Sequence, residues 1–274
     1  MQEPTAQIAA LTCYLNARKR GIATRHFFPG NSTCQFCEFI HFLHPRRRRW
    51  FGRDEGWDVI ATTADDWLES VALDGLAHAV LIRLPGGDPR LPDRKAAGFV
   101  GGGGRWRLCL HRKRSVGCWE AGWELGNREA ADRRIWRVRY VLVADEQPAR
   151  PAALSVDELG EHLPRCLTDI EAFARQHDLE CFAECFAKAQ KCLTSDNPLA
   201  LVHHRDLAPD GALERPAARL LAACQAAWVF GGMGSWNDVG FNGPERTLYC
   251  ELSDRLFDLL TQAICAAVNT TAGA

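Results

Sequence analysis

The sequence predicts an α+β fold: an antiparallel β-meander sheet packed against a C-terminal helical layer, with a peripheral N-terminal helical extension. Three observations carry this expectation. Residues 105–143 contain three segments in which apolar and charged side chains alternate with period two, the pattern of half-buried strands. From residue 155 to residue 268 the apolar residues recur instead at helical spacing. Ahead of these regions the chain is punctuated by Pro and Gly over residues 85–104.

Residues 1–56 read as an extension, loosely attached to a single domain over residues 57–274. That domain has a sheet-rich half to residue 150 and a helical half from 151. In the extension, Ile8, Leu11 and Leu15 fall on one face of a short helix behind Pro4. Gly and Pro interrupt residues 21–31, and the short apolar run 36–43 stops at Pro45, before the basic run Arg46–Arg49. Residues 57–61 form a strand. Thr63 then caps a helix whose inner face carries Trp67, Leu68 and Val71, with Asp65 and Asp66 as first-turn acids favoured by the helix dipole. Residues 79–84 make a buried strand, and the glycine run 101–104 makes a flexible turn.

The meander follows. Trp106, Leu108 and Leu110 alternate with Arg105, Arg107 and Cys109; Trp119, Ala121, Trp123 and Leu125 alternate with Glu120 and Glu124; Trp136, Val138, Tyr140 and Leu142 alternate with Arg137 and Arg139. One face of the sheet is therefore apolar and rich in tryptophan. The other places glutamates between two arginine-bearing strands, which gives cross-strand ion pairs worth roughly 0.2–1 kcal/mol each. Beyond Pro148 and Pro151, Ser155 with Glu158 and Thr168 with Glu171 form capping boxes, and Pro164 ends or kinks the first helix. After a loop over residues 195–214, Pro216 opens a helix with Leu220, Leu221, Cys224 and Trp228 on one stripe, stopped by Gly231 and Gly232. Pro244 opens the last, whose leucine stripe is the longest in the chain. The tryptophan strands and the leucine-striped helices are expected to share one interior.

The chain has 274 residues, 47% of them hydrophobic, with 33 basic and 34 acidic side chains. No apolar run approaches the ~20 residues of a bilayer span, and the first ten residues carry no secretory signal. The expectation is a cytoplasmic protein whose twelve cysteines are reduced, mostly buried thiols. Charge is uneven: residues 1–150 carry 24 basic and 17 acidic groups, residues 151–274 carry 9 and 17. The acidic half suits either a partner surface or attraction between the two halves.

Few residues advertise chemistry. Cys34, Cys37, His41 and His44 are zinc-type ligands with a Cys-x-x-Cys start. On one helix Cys34 and His44 would lie about 15 Å apart, too far for one ion, so a zinc site needs the cysteines in a turn; otherwise the four line a buried helical face. Nucleic acid is not an expected partner, because tryptophans and arginines fall on opposite sheet faces and bases could not stack beside phosphate contacts. No nucleophile elbow or phosphate loop occurs. His203 and His204, close to Asp206, offer a metal or proton-shuttle pair, although adjacent loop histidines are commonly only solvated.

The segment Trp228–Asp238 reads Trp-Val-Phe-Gly-Gly-Met-Gly-Ser-Trp-Asn-Asp, far more elaborate than a helix connection requires. It is either a partner or ligand loop, with Met233, Trp236, Asn237 and Asp238 as its contacts, or a plug in which Met233 and Trp236 fold back over the helices. The plug is favoured, because a loop tryptophan is costly to leave in water. This segment, with the helix that follows, resembles the closing region of uncharacterised bacterial proteins that share a Gly-Gly-Met-Gly-Ser-Trp-Asn-Asp segment. The resemblance implies a small accessory protein, in some cases of the immunity type that neutralises a toxin, and it implies no catalytic residues.

The leading expectation is a non-enzymatic module that binds a protein partner. The alternatives are an enzyme with an unusual site near residues 231–238 and the histidine loop, and an interaction protein stabilised by zinc.

Overall fold

The computed structural model describes residues 1–46, 56–86, 90–99, 102–143 and 154–273. Most of the basic run 46–49 and the first residue of the glycine run 101–104 lie outside these. The architecture is α+β. Strands β1 (Cys37–Pro45), β2 (Trp57–Ala61), β3 (Leu76–Leu84), β4 (Arg105–Arg112), β5 (Val116–Leu125) and β6 (Trp136–Val143) form one sheet in the order β2-β1-β6-β5-β4-β3. The run β3-β4-β5-β6 is an antiparallel meander, β1 joins β6 in parallel, and β2 closes that edge antiparallel to β1.

The expected alternation holds across the meander. Leu108, Leu110, Trp119, Val138 and Tyr140 are buried in the main core. On the opposite face Arg107 bonds Glu120, its direct cross-strand partner, and Arg139 bonds Glu124. Arg137 reaches Glu38 of β1 at 2.8 Å. Charge complementarity across neighbouring strands thus fixes the register that the hydrophobic pattern already selects.

Helix α1 (Glu3–Lys19) corrects the expectation of a peripheral extension. Every residue from Thr5 to Ala17 is buried, and the helix packs against β3, β4, β5, α2 (Ala64–Leu73) and α7 (Gly243–Asn269). Its buried Gln7, Thr12 and Asn16 are satisfied inside the molecule. Gln7 donates to the Thr33 carbonyl at 3.0 Å and accepts from the Tyr140 hydroxyl at 3.1 Å, while Thr12 donates to Ile8 O at 2.8 Å. A helix enclosed on all sides needs no polar stripe, only partners for each polar atom. The run 36–43, read as an alternative helical face, is β1, in which Ile40 and Phe42 enter the core and Phe42 stacks on Trp67 with ring centroids 4.2 Å apart. Asp65 does more than complement a dipole: it accepts the Phe27 and Phe28 amides and pairs with Arg18 at 2.8 Å.

The helical half comprises α4 (Val156–Gln176), α5 (Glu180–Thr194), α6 (Arg215–Ala226) and α7. The Ser155–Glu158 capping box forms as read. The second one does not, because α4 runs unbroken through Pro164, and Thr168 sits mid-helix donating to the Pro164 carbonyl at 3.0 Å. Pro164 has no N–H to pair with the carbonyl of Gly160, and because Gly160 is exposed the loss falls on the solvent side of the helix. Helix α6 ends at Ala226, ahead of the two glycines. Strands and helices contribute to one continuous apolar core, from Trp119 and Tyr140 through α1 to Leu163, Leu221 and Leu260. A smaller cluster on the outer sheet face joins Ile82 to Cys109 and Cys118. These two cysteines stand opposite each other on β4 and β5 and form a disulfide. The expectation of wholly reduced thiols is corrected for this pair: direct cross-strand neighbours bring the sulfurs within bonding distance, whereas the other ten cysteines are free. No described helix is long and apolar enough to cross a membrane.

Candidate functional site

Three inner-face tryptophans at one end of the sheet escape full burial. Trp106 on β4, Trp123 on β5 and Trp136 on β6 are half-buried, and Trp123 meets Trp136 edge to face at 6.0 Å. Small residues keep space in front of them: Ala121 and Gly122 on β5, and Ala97, Gly98 and Gly102–Gly104 in the connection before β4. The start of α1, Trp228 beyond α6 and Phe257 of α7 complete the walls. The result is a pocket of about 520 Å³, within the size range of ligand-binding cavities. The buried Nε1 of Trp123 has no hydrogen-bond partner, and Glu3, Arg105 and Glu120 add charged groups to the lining. Phe99, also lining the pocket, is 72% exposed.

The segment 228–238 holds the rim of this pocket in place. Trp236 is fully buried, its indole donates to Ser253 Oγ at 2.8 Å, and Phe182, Phe186 and Tyr249 surround it at centroid distances of 5.2–5.5 Å. The plug reading is correct for Trp236. It is not for Met233, which is wholly exposed. The Asn237 amide donates to the Arg94 carbonyl at 2.8 Å, and Asp238 accepts the Gly234 amide. Arg94, in the short helix α3 (Asp93–Ala96), is itself buried and pairs with Asp254 of α7. Gly98 then presses on Gly231: a Cβ at residue 98 would lie 2.1 Å from the Gly231 carbonyl oxygen. The Asn237 amide nitrogen and the Asp238 carboxylate therefore serve backbone groups and position the connection that forms one pocket wall, while Asn237 Oδ1 is buried without a hydrogen-bond partner.

The zinc-type residues do not gather as a set. Cys34 lies in a 3-10 turn and Cys37 at the start of β1, both buried; burial raises both thiols and pushes Cys37 up to about 11. That disfavours the thiolate a metal requires. His41 stacks on Phe39 at 4.0 Å on the outer face, where Arg139 covers the Phe39 ring, and His44 is exposed near the strand end. Among the described residues, the group whose ligand atoms converge within 4.8 Å is Glu3, His203 and His204. Burial pushes Glu3 up to about 7; it lowers His204 to about 4, reinforced by the neighbouring His203.

Sequence reading missed Glu3 and the pocket itself. The tryptophans were visible as core residues, but their incomplete burial depends on where helix α1 begins and on how far the glycine-rich connection stands off the sheet. Comparison of the chain with models of known protein families, with curated proteins and with solved structures finds no match.

Proposed function

We propose that this protein acts by binding rather than by chemistry, and that the tryptophan-walled pocket receives an apolar or aromatic side chain presented by a protein partner. The observation that carries the reading is the pocket's surroundings. Phe99 on its wall is largely exposed, and wholly exposed Met233 lies in the segment that touches Gly98. Large apolar side chains left in water around a concave aromatic site suit a protein interface, in which a buried anchor is ringed by contacts that exclude solvent. An immunity-type role, in which the partner is a toxin, accords with the resemblance carried by the Gly-Gly-Met-Gly-Ser-Trp-Asn-Asp segment. An enzymatic site at residues 231–238 gains no support, since the Asp238 carboxylate and the Asn237 amide nitrogen both serve backbone groups.

The test is co-purification with the products of the two genes flanking this one, comparing the natural chain with Ala121→Phe, which fills the pocket from the middle of β5. Stoichiometric capture by the natural chain, weakened about tenfold or more in the folded variant, is the expected result. Absence of capture, or equal capture by both chains, would overturn it.

A further inference from the structure

The geometry points to a binding site for a zinc-type divalent transition metal formed by Glu3, His203 and His204, at the edge of the pocket. The inference starts from hydrogen-bond arithmetic. The Ser32 hydroxyl has one proton, which it donates to Asp206 Oδ1. Its oxygen also lies 2.9 Å from His204 Nδ1, so Nδ1 must carry a proton and donate it. The other ring nitrogen of the neutral imidazole, Nε2, is left with a bare lone pair. It faces Glu3 Oε2 at 3.5 Å, and that oxygen is buried with no hydrogen-bond partner. Two acceptors face one another where a proton or a cation belongs between them.

The spacing suits a metal. With metal–ligand bonds of ~2.1 Å, tetrahedral coordination separates two ligand atoms by about 3.4 Å. His203 brings a third donor within 4.8 Å of the others and, being exposed, is free to close the remaining gap. The arrangement is also built. His204 is only 3% exposed, and its backbone is held on both sides by Gln225, whose amide accepts from His204 N at 3.2 Å and donates to His204 O at 3.0 Å. The chain Asp206–Ser32–His204 Nδ1 is the outer support that metal-bound histidines ordinarily receive, fixing the tautomer that leaves Nε2 for the ion. Three protein ligands, two imidazoles and one carboxylate, leave a fourth position for water or a partner's group. Glu3 also lines the tryptophan pocket, so a partner seated there would lie beside the ion.

The experiment titrates the full chain, free of any histidine tag, with Co²⁺ and Zn²⁺, following cobalt ligand-field absorption and zinc calorimetry. One ion per chain is expected, with tetrahedral cobalt bands and no thiolate charge-transfer absorption. His203→Ala, an exposed change that should leave folding intact, and Glu3→Gln, which keeps the side-chain shape, should each weaken zinc binding about tenfold or more. No binding at 100-fold excess over protein, cobalt spectra showing thiolate ligation, or undiminished affinity in both folded variants would overturn the assignment. Partner capture in the presence of a chelator separates this inference from the proposed function, because the pocket's aromatic walls do not depend on the ion.

Discussion

Asn16 and Asn269 grip the same free edge of the sheet two residues apart. Asn16, on α1, accepts from Ala79 N at 2.8 Å and donates to Ala79 O at 2.9 Å. Asn269, at the end of α7, accepts from Leu81 N at 2.7 Å and donates to Leu81 O at 3.0 Å. Strand β3 is an edge strand, and these two carboxamides imitate the neighbour it lacks. Asn16→Ala, which orphans two buried backbone groups, should cost about 1–3 kcal/mol. Asn269→Ala, nearer solvent, should cost less. Urea unfolding of both single variants checks the order, and equal, negligible losses would refute the edge-protecting role.

The glycine contact at the pocket rim gives a second prediction. Gly98→Ala drives a methyl group into the Gly231 backbone, which has no flexible side chain to yield. The connection must move, at a cost of about 1–3 kcal/mol typical of overpacking. Gly231→Ala meets only Ser235 Cβ, at 3.5 Å, and should be milder. Thermal melts of the two variants measure the contrast.

Trp236 supplies the third. Its ring is fully enclosed and its indole N–H is paired, so Trp236→Ala should cost about 3–5 kcal/mol. Met233→Ala should leave stability unchanged, because that side chain touches water. If stability responds to Met233 and not to Trp236, the plug role of Trp236 is wrong.

Two ion pairs on the outer sheet face should differ in worth. Arg139 and Glu124 are 39% and 60% exposed, and Glu124→Gln should change stability by under about 1 kcal/mol. Arg107 is 7% exposed, so Glu120→Gln removes a charge partner from a cation largely withdrawn from water. A loss of about 1–3 kcal/mol follows. Salt titration of the natural chain against each variant distinguishes the screened pair from the shielded one.

The disulfide predicts a chemical readout. Denatured, unreduced protein should take up alkylating reagent at ten of its twelve cysteines, and peptide mapping should find Cys109 and Cys118 protected. Replacing both with alanine should cost about 2–3 kcal/mol, the loop-closure value for so short a span. Twelve labelled thiols would contradict the pairing.

Much of the sheet was legible because period-two alternation is a local property. Trp106 to Leu110, Trp119 to Leu125 and Trp136 to Leu142 declare their faces without reference to anything distant. The arginine–glutamate pairing across β4, β5 and β6 follows from the same count. Thr63 and Ser155 cap helices through atoms three residues away, so they too could be read in place. Helix α1 could not. Gln7 and Asn16 look like a solvent face until Tyr140, Thr33 and Ala79 arrive to satisfy them, and those partners stand up to 133 residues away.

Residue order alone established the antiparallel strands, their apolar side and the helices that follow, since each depends on neighbours along the chain. Where the first helix lies, which cysteines bond, what Asn237 holds and how Glu3 meets His204 were settled by folding. Each of those depends on a polar or reactive group finding a partner remote in sequence, and no periodicity records who that partner is.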